Sequence, residues 1–213
     1  MHIPDGFLPA TVCAAGYVAA APVTWYSLRK INQKENPRAD IPKASLLTAA
    51  FFVVSWIHIP VPPTSVHLVL NGLLGAVLGY FAFPAILIGL FFQAVMFQHG
   101  GLTTLGVNAI VMGLPALASY YIFRLRNMLG KKGQIMTGLF GFLAGFVGIG
   151  VSVAMFVVIL LTNMPADFDV ATEQTAICTL GLAHLPLMVI EGVFTALVTV
   201  FLGRVRPQLL DSA

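Results

Sequence analysis

Residues 135–162 read Ile-Met-Thr-Gly-Leu-Phe-Gly-Phe-Leu-Ala-Gly-Phe-Val-Gly-Ile-Gly-Val-Ser-Val-Ala-Met-Phe-Val-Val-Ile-Leu-Leu-Thr, with no charged side chain from end to end. An α-helix rises about 1.5 Å per residue, so about 20 residues cross a hydrocarbon core about 30 Å thick. A helix of this length on a water-soluble domain would show a polar face. This one has none, so its solvent is lipid.

Comparable apolar runs lie at 8–28, 44–61, 65–81, 83–99, 104–123 and 174–202. Hydrophobic residues make up 58% of the chain and charged residues 9%, against roughly a quarter charged in soluble domains. That balance excludes a soluble globular fold. The sequence also lacks a phosphate-cradling Gly-x-x-x-x-Gly-Lys loop and a basic face suited to nucleic acid. The expectation is an all-α integral membrane protein forming a single domain over 1–213, with a leading segment at 1–7 and a helical bundle at 8–203. Cys13 and Cys178 stand in apolar runs without Cys-x-x-Cys spacing, which points to helix packing rather than a disulfide or thiolate site. The first residues lack the basic flank of a secretory signal, and Met1 is expected to be the mature start.

The third and fourth runs are short and are divided by Ala82 and Pro84 without a polar loop, so six or seven spans are open. The basic residues favour seven. Arg29, Lys30, Lys34, Arg38 and Lys43 lie between spans one and two. Arg124, Arg126, Lys131 and Lys132 lie between five and six, and Arg204 and Arg206 follow span seven. These are all eleven lysines and arginines, and seven spans put every one on the same side, the cytoplasm by the positive-inside rule. The amino terminus is then outside and the carboxyl terminus inside, in a multi-pass protein of a prokaryotic plasma membrane. The outer loop at 163–173 carries Asp167, Asp169 and Glu173. Glycines at three- and four-residue spacing, as in Gly138, Gly141, Gly145 and Gly148, suit close helix packing in lipid.

Five histidines, His2, His58, His67, His99 and His184, remain, and seven spans bring the first four to the outer face. A lone interfacial histidine is ordinarily a hydrogen-bonded surface residue; a cluster suggests capture of a borderline divalent ion. Position 2 is special. The amine of Met1, the deprotonated amide of His2 and the His2 imidazole can close one five- and one six-membered chelate ring. A fourth nitrogen completes a square plane, the geometry of Ni(II) or Cu(II), and His67 is the candidate. Pro4, Asp5 and Gly6 supply a chain reversal, and the bulk of His2 disfavours trimming of Met1. Asn71, Gln93, Gln98, Asn108, His184 and Glu191 are the other polar groups inside spans. On a helical reading Asn71 shares a face with His67 and could orient its ring. His184 and Glu191 share another face, as a relay or as structural hydrogen-bonders.

Three stretches carry a family resemblance: Met-His-Ile-Pro-Asp-Gly-Phe-Leu at 1–8, Ser-Val-His-Leu-Val-Leu-Asn-Gly-Leu-Leu-Gly at 65–75, and Gln-Ala-Val-Met-Phe-Gln-His-Gly-Gly-Leu-Thr-Thr-Leu-Gly-Val-Asn at 93–108. Together they resemble the CbiM/NikM family, the substrate-binding components of energy-coupling factor transporters for cobalt and nickel. The resemblance is specific from residue 1 to about residue 125 and continues as topology. It implies a seven-helix protein with its outward amino terminus threaded into the bundle, and Met1, His2 and His67 as ligands of transported Ni2+ or Co2+. Asn71, His58, His99, His184 and Glu191 are candidates for the surrounding shell. The implied partners are a CbiQ/NikQ-like coupling subunit, two CbiO/NikO-like ATPases and a small CbiN/NikL-like membrane subunit, expected as a separate chain. ATP hydrolysis and cobalamin biosynthesis belong to the wider system, and this chain is expected to be no enzyme.

Four planar nitrogens favour nickel over cobalt, although the family transports both. The Gly100–Gly101 loop is either a cover for the site or an ordinary connector. A proton-coupled carrier using His184 and Glu191 is a rival reading. An intramembrane zinc enzyme is another, disfavoured because no His-Glu-x-x-His motif is present.

Overall fold

The structure, a computed structural model, describes residues 2–61, 64–128, 133–163 and 170–211. Helix α1 (Ala10–Asn32) opens behind Pro9 and closes on Arg29 and Lys30, cations that complement the negative end of its dipole. Helix α2 (Ile41–Val54) carries Pro42 in its first turn, where a missing N–H breaks no helical hydrogen bond. An antiparallel hairpin follows, β1 (His58–Val61) with β2 (Thr64–His67), its register setting His58 opposite His67. Then come α3 (Asn71–Leu78), α4 (Ala82–Phe97), α5 (Leu105–Met128), α6 (Gln134–Thr162), α7 (Val170–Val205) and the short α8 (Gln208–Asp211).

Side-chain contacts fix the direction of each pass. At one end, Lys43 Nζ donates to the Leu209 carbonyl at 3.2 Å and Arg204 to the Gln134 amide oxygen at 2.5 Å. Lys34 Nζ lies 5.6 Å from the centre of the Phe81 ring. The start of α2, the turn after α3, the start of α6 and the end of α7 therefore share this basic, inner end. At the other end, Ile3 meets Thr104 and Asn108, and Gln93 meets Ser55. The chain crosses seven times, in an all-α membrane bundle interrupted by one hairpin.

The second and third passes differ from the expected runs at 44–61 and 65–81. Helix α2 stops at Val54, because Pro60, Pro62 and Pro63 lie ahead and proline cannot continue a helical ladder. The third pass is composite: β2, a non-helical link, the eight-residue α3, about 12 Å long, and a 3-10 turn at Gly79–Phe81. Gly79, at φ +60° and ψ −125°, takes a conformation open only to glycine and turns the chain into α4. All of α3 is buried. Of the most apolar window in 71–97, 72% is buried within the protein, against 28% for that of α7. Helix α3 and the first half of α4 are thus core, while much of α7 faces lipid. Backbones touch where α3, α6 and α7 cross: a Cβ on Gly72 would lie 2.5 Å from the Gly145 Cα, and one on Gly145 would lie 2.6 Å from the Glu191 carbonyl.

Candidate metal-binding site

The leading segment enters the bundle because the bundle offers partners to its main chain. The Asn108 carboxamide accepts from the Ile3 N–H at 2.9 Å and donates to the Ile3 carbonyl at 3.0 Å. Thr104 Oγ1 donates to that same carbonyl at 2.6 Å. The Ile3 side chain is 1% exposed. Two residues later the Asp5 carboxylate accepts the N–H groups of Leu102 and Thr103 at 3.1 and 2.9 Å and the Thr103 hydroxyl at 2.5 Å, just ahead of α5. The Thr103 hydroxyl, then the backbone donors, hold the Asp5 carboxyl below its ordinary pKa.

Pinned in this way, His2 lies beside two further imidazoles. Its ring centre is 5.2 Å from that of His67 and 4.1 Å from that of His99, which are 5.5 Å apart. One ring nitrogen from each falls within 4.8 Å of the others. His67 arrives at the end of β2. His99 arrives through a turn in which Gln98 (φ +54°) and Gly100 (φ +85°) are left-handed and the His99 N–H bonds the Gln93 carbonyl at 3.1 Å. A Cβ at Gly100 would approach the His2 ring and the Asn108 amide to 3.5 and 3.4 Å, so this loop lies directly against His2.

The hydrogen bonds assign the tautomers. Ser55 Oγ donates to the Phe52 carbonyl at 2.8 Å, so it accepts from the Gln93 NH2 at 2.8 Å. The Gln93 oxygen is thereby turned to His2 Nε2 at 2.8 Å, and that nitrogen carries the proton. His2 Nδ1 keeps its lone pair; it is buried and without a hydrogen-bond partner among the described residues. His67 Nδ1 bonds the Leu68 carbonyl at 3.0 Å and so carries its proton, leaving Nε2 as the donor atom. Burial, more than any neighbouring charge, lowers the His2 pKa and disfavours the charged form of the ring. Neutral imidazoles whose second nitrogen is occupied by an amide or carbonyl oxygen are the usual state of metal ligands.

The other candidate residues fall elsewhere. Met1 and the side chain of His58 lie outside the described residues. Asn71 does not support His67: its Nδ2 donates to the Gly148 carbonyl at 3.2 Å and to Ser152 Oγ at 2.6 Å, because residues 68–70 form no helix and Leu70 is left-handed. His184 Nδ1 bonds the Leu180 carbonyl one turn back at 2.7 Å. Glu191, on α7, accepts from the N–H groups of Val69 and Leu70, the latter at 2.9 and 3.0 Å. It satisfies backbone donors that the break before α3 leaves inside the bundle, and it holds Leu70 at φ +58°. Gln93 and Asn108 stood in the sequence only as polar residues within spans. Their occurrence in one stretch with His99 was the available signal.

Comparison with known proteins finds one family over nearly the whole chain. The family described as the cobalt uptake substrate-specific transmembrane region, CbiM, matches residues 2–209. The "Putative metal transport protein" of Haemophilus influenzae is 32% identical over 213 residues, covering 99% of this chain and 97% of that one. The fused nickel transport protein NikMN of Rhodobacter capsulatus is 30% identical, covering 99% of this chain and 64% of that protein. A crystal structure of a truncated transition metal transporter superposes with a TM-score of 0.80 at 27% identity, covering 96% of this chain and 99% of that one. A likeness spanning nearly the whole chain, with three imidazoles gathered at the mouth of a seven-pass bundle, leads to one conclusion: this chain belongs to the CbiM family of cobalt uptake substrate-specific transmembrane proteins.

Proposed function

We propose that this chain is the capture subunit of an energy-coupling factor importer and binds Ni2+ or Co2+ from outside in a plane of four nitrogens. The donors are the Met1 amine, the His2 amide, His2 Nδ1 and His67 Nε2. The observation that carries the reading is the His2 Nδ1 lone pair, buried without a hydrogen-bond partner among the described residues, beside the His67 ring. Of the two ring nitrogens, Nδ1 is the one that closes a six-membered chelate with the residue's own amide. Asn108 supports the reading by fixing the main chain one residue beyond His2.

Four planar nitrogens including an ionised amide favour nickel over cobalt. Energy comes from two CbiO/NikO-like ATPases acting through a CbiQ/NikQ-like coupling subunit, with a CbiN/NikL-like membrane partner. A proton-coupled carrier built on His184 and Glu191 loses its footing, since each side chain is engaged by backbone of its own surroundings. The test is calorimetric binding of nickel and cobalt to the native protein and to a variant with one alanine added before Met1, with the start of each checked by mass spectrometry. Loss of binding with the fold retained supports the chelate. Equal binding by both forms removes the terminal amine from the ligand set.

A further inference from the structure

At the inner half of the bundle, far from the imidazoles, α1 and α5 leave a groove of about 470 Å3 between them. Pro22, Val23, Leu114 and Leu117 line its apolar length, and Tyr26 and Tyr121 close its inner end. Their hydroxyls lie 3.5 Å apart, and that of Tyr80 lies 3.0 Å from Tyr121. The Tyr120 ring centre lies 5.0 Å from that of Tyr80, edge-on, and 5.1 Å from that of Tyr121, tilted. Four of the chain's five tyrosines thus gather at one seam. An ordinary aromatic belt spreads its rings around the circumference of a bundle; this set is concentrated at a single groove.

Beyond the hydroxyls come cations. Lys30 is four residues past Tyr26, and Arg124 is three past Tyr121, so each follows its tyrosine on the same helix face. Lys30 Nζ lies 5.8 Å from the centre of the Tyr26 ring. Arg124 donates to the Tyr120 hydroxyl at 2.6 Å, using one of the guanidinium's five N–H donors. No carboxylate lines the groove. A larger groove of about 550 Å3, lined by residues of α1, α2 and α4, has only Ser45 and Thr48 as polar lining residues and no tyrosine in its lining.

Along the α1–α5 seam the surface runs from apolar to hydroxyl to cationic, toward the inner face. A phospholipid runs from acyl chain to glycerol ester to phosphate in the same direction. We propose that this seam is a binding site for an anionic phospholipid of the inner leaflet. Its chain occupies the groove, its ester oxygens accept from Tyr26 and Tyr121, and its phosphate sits between Lys30 and Arg124.

The test is native mass spectrometry of the whole protein exchanged into detergent micelles containing phosphatidylglycerol or phosphatidylcholine of identical chains. Three forms are compared: wild type, the double variant Lys30→Gln/Arg124→Gln, and the double variant Tyr26→Phe/Tyr121→Phe. Nickel binding at the opposite end of the bundle reports that each form is folded. The expected result is a preference for phosphatidylglycerol of about ten-fold or more in the wild type. The cation variant should lose that preference, and the tyrosine variant should retain less of both lipids. Equal retention of the two lipids by the wild type, or an unchanged preference in the cation variant, overturns the site. So does cross-linking of a Leu117→Cys variant to a partner subunit in the assembled transporter while no lipid is retained, which would make the seam a protein interface.

Discussion

Helices α6 and α7 and the stretch from Ser55 to Phe81 lie against one another in one bundle, yet they are held by opposite means. The two long helices satisfy their own backbones and meet through glycine, with Gly145 against the Glu191 carbonyl. The stretch from Ser55 to Phe81 breaks its helix twice, and its exposed amides and carbonyls must borrow partners. Glu191 comes from α7 to Val69 and Leu70, and Asn71 reaches out to Gly148 and Ser152 on α6. Irregular backbone inside a membrane protein persists only where such partners exist. The difference teaches that regular helix supplies the frame, while interruption, at the cost of dedicated polar partners, supplies the placement of His67.

The comparison can be broken first at the ligand itself. His67→Ala should weaken nickel binding by more than about 100-fold, beyond the range of an outer-shell partner, with thermal unfolding little changed; calorimetry beside a melting curve separates the two. Next come the supporting groups. Gln93→Leu removes the acceptor that holds the His2 proton on Nε2, and Glu191→Gln disturbs the acceptor for two buried N–H groups near His67. Each should weaken nickel binding by about 10–100-fold. Faster hydrogen exchange of the Val69 and Leu70 amides is expected in Glu191→Gln alone.

On the regular side, Gly72→Ala forces a methyl group into the Gly145 backbone. It should destabilise the bundle by about 1–3 kcal/mol, read from thermal unfolding. Metal affinity that fell as far as in Glu191→Gln would show that the two modes of holding are not separate. The smallest effect is the Asp5 cap. Its carboxyl pKa is depressed in the folded protein, so its contribution is fully present above the unfolded carboxylate pKa and is lost as pH falls through the folded one. Asp5→Asn should therefore lower the neutral plateau of a melting-temperature profile slightly and flatten its acid limb, the two proteins converging at low pH.

The same division governs what could be read in advance. The runs that became α5, α6 and α7 were visible because lipid demands apolar length and nothing else. The gathering of His2, His67 and His99 was legible from their shared outer placement and from the family motif. The role assigned to Asn71 failed because it assumed a helical period across residues 67–71, where residues 68–70 form no helix. The prolines at 60, 62 and 63 were the warning. The role of Gln93, noticed only as a polar residue within a span, was hidden for a different reason: its meaning lies in a chain of hydrogen bonds from Phe52 through Ser55 to His2, four positions on three separate segments. No single stretch contains that information.

The grip of Asn108 on Ile3 has one more consequence. Both hydrogen bonds are to main chain, so the clamp is indifferent to which side chain occupies position 3 and sensitive only to register. The bundle thus acts as a length gauge for its own first residues. A conservative change at Ile3 leaves the count from clamp to imidazole intact. A single residue inserted between His2 and Ile3 would carry the ring about 3.3–3.6 Å along the chain, out of reach of the Gln93 oxygen.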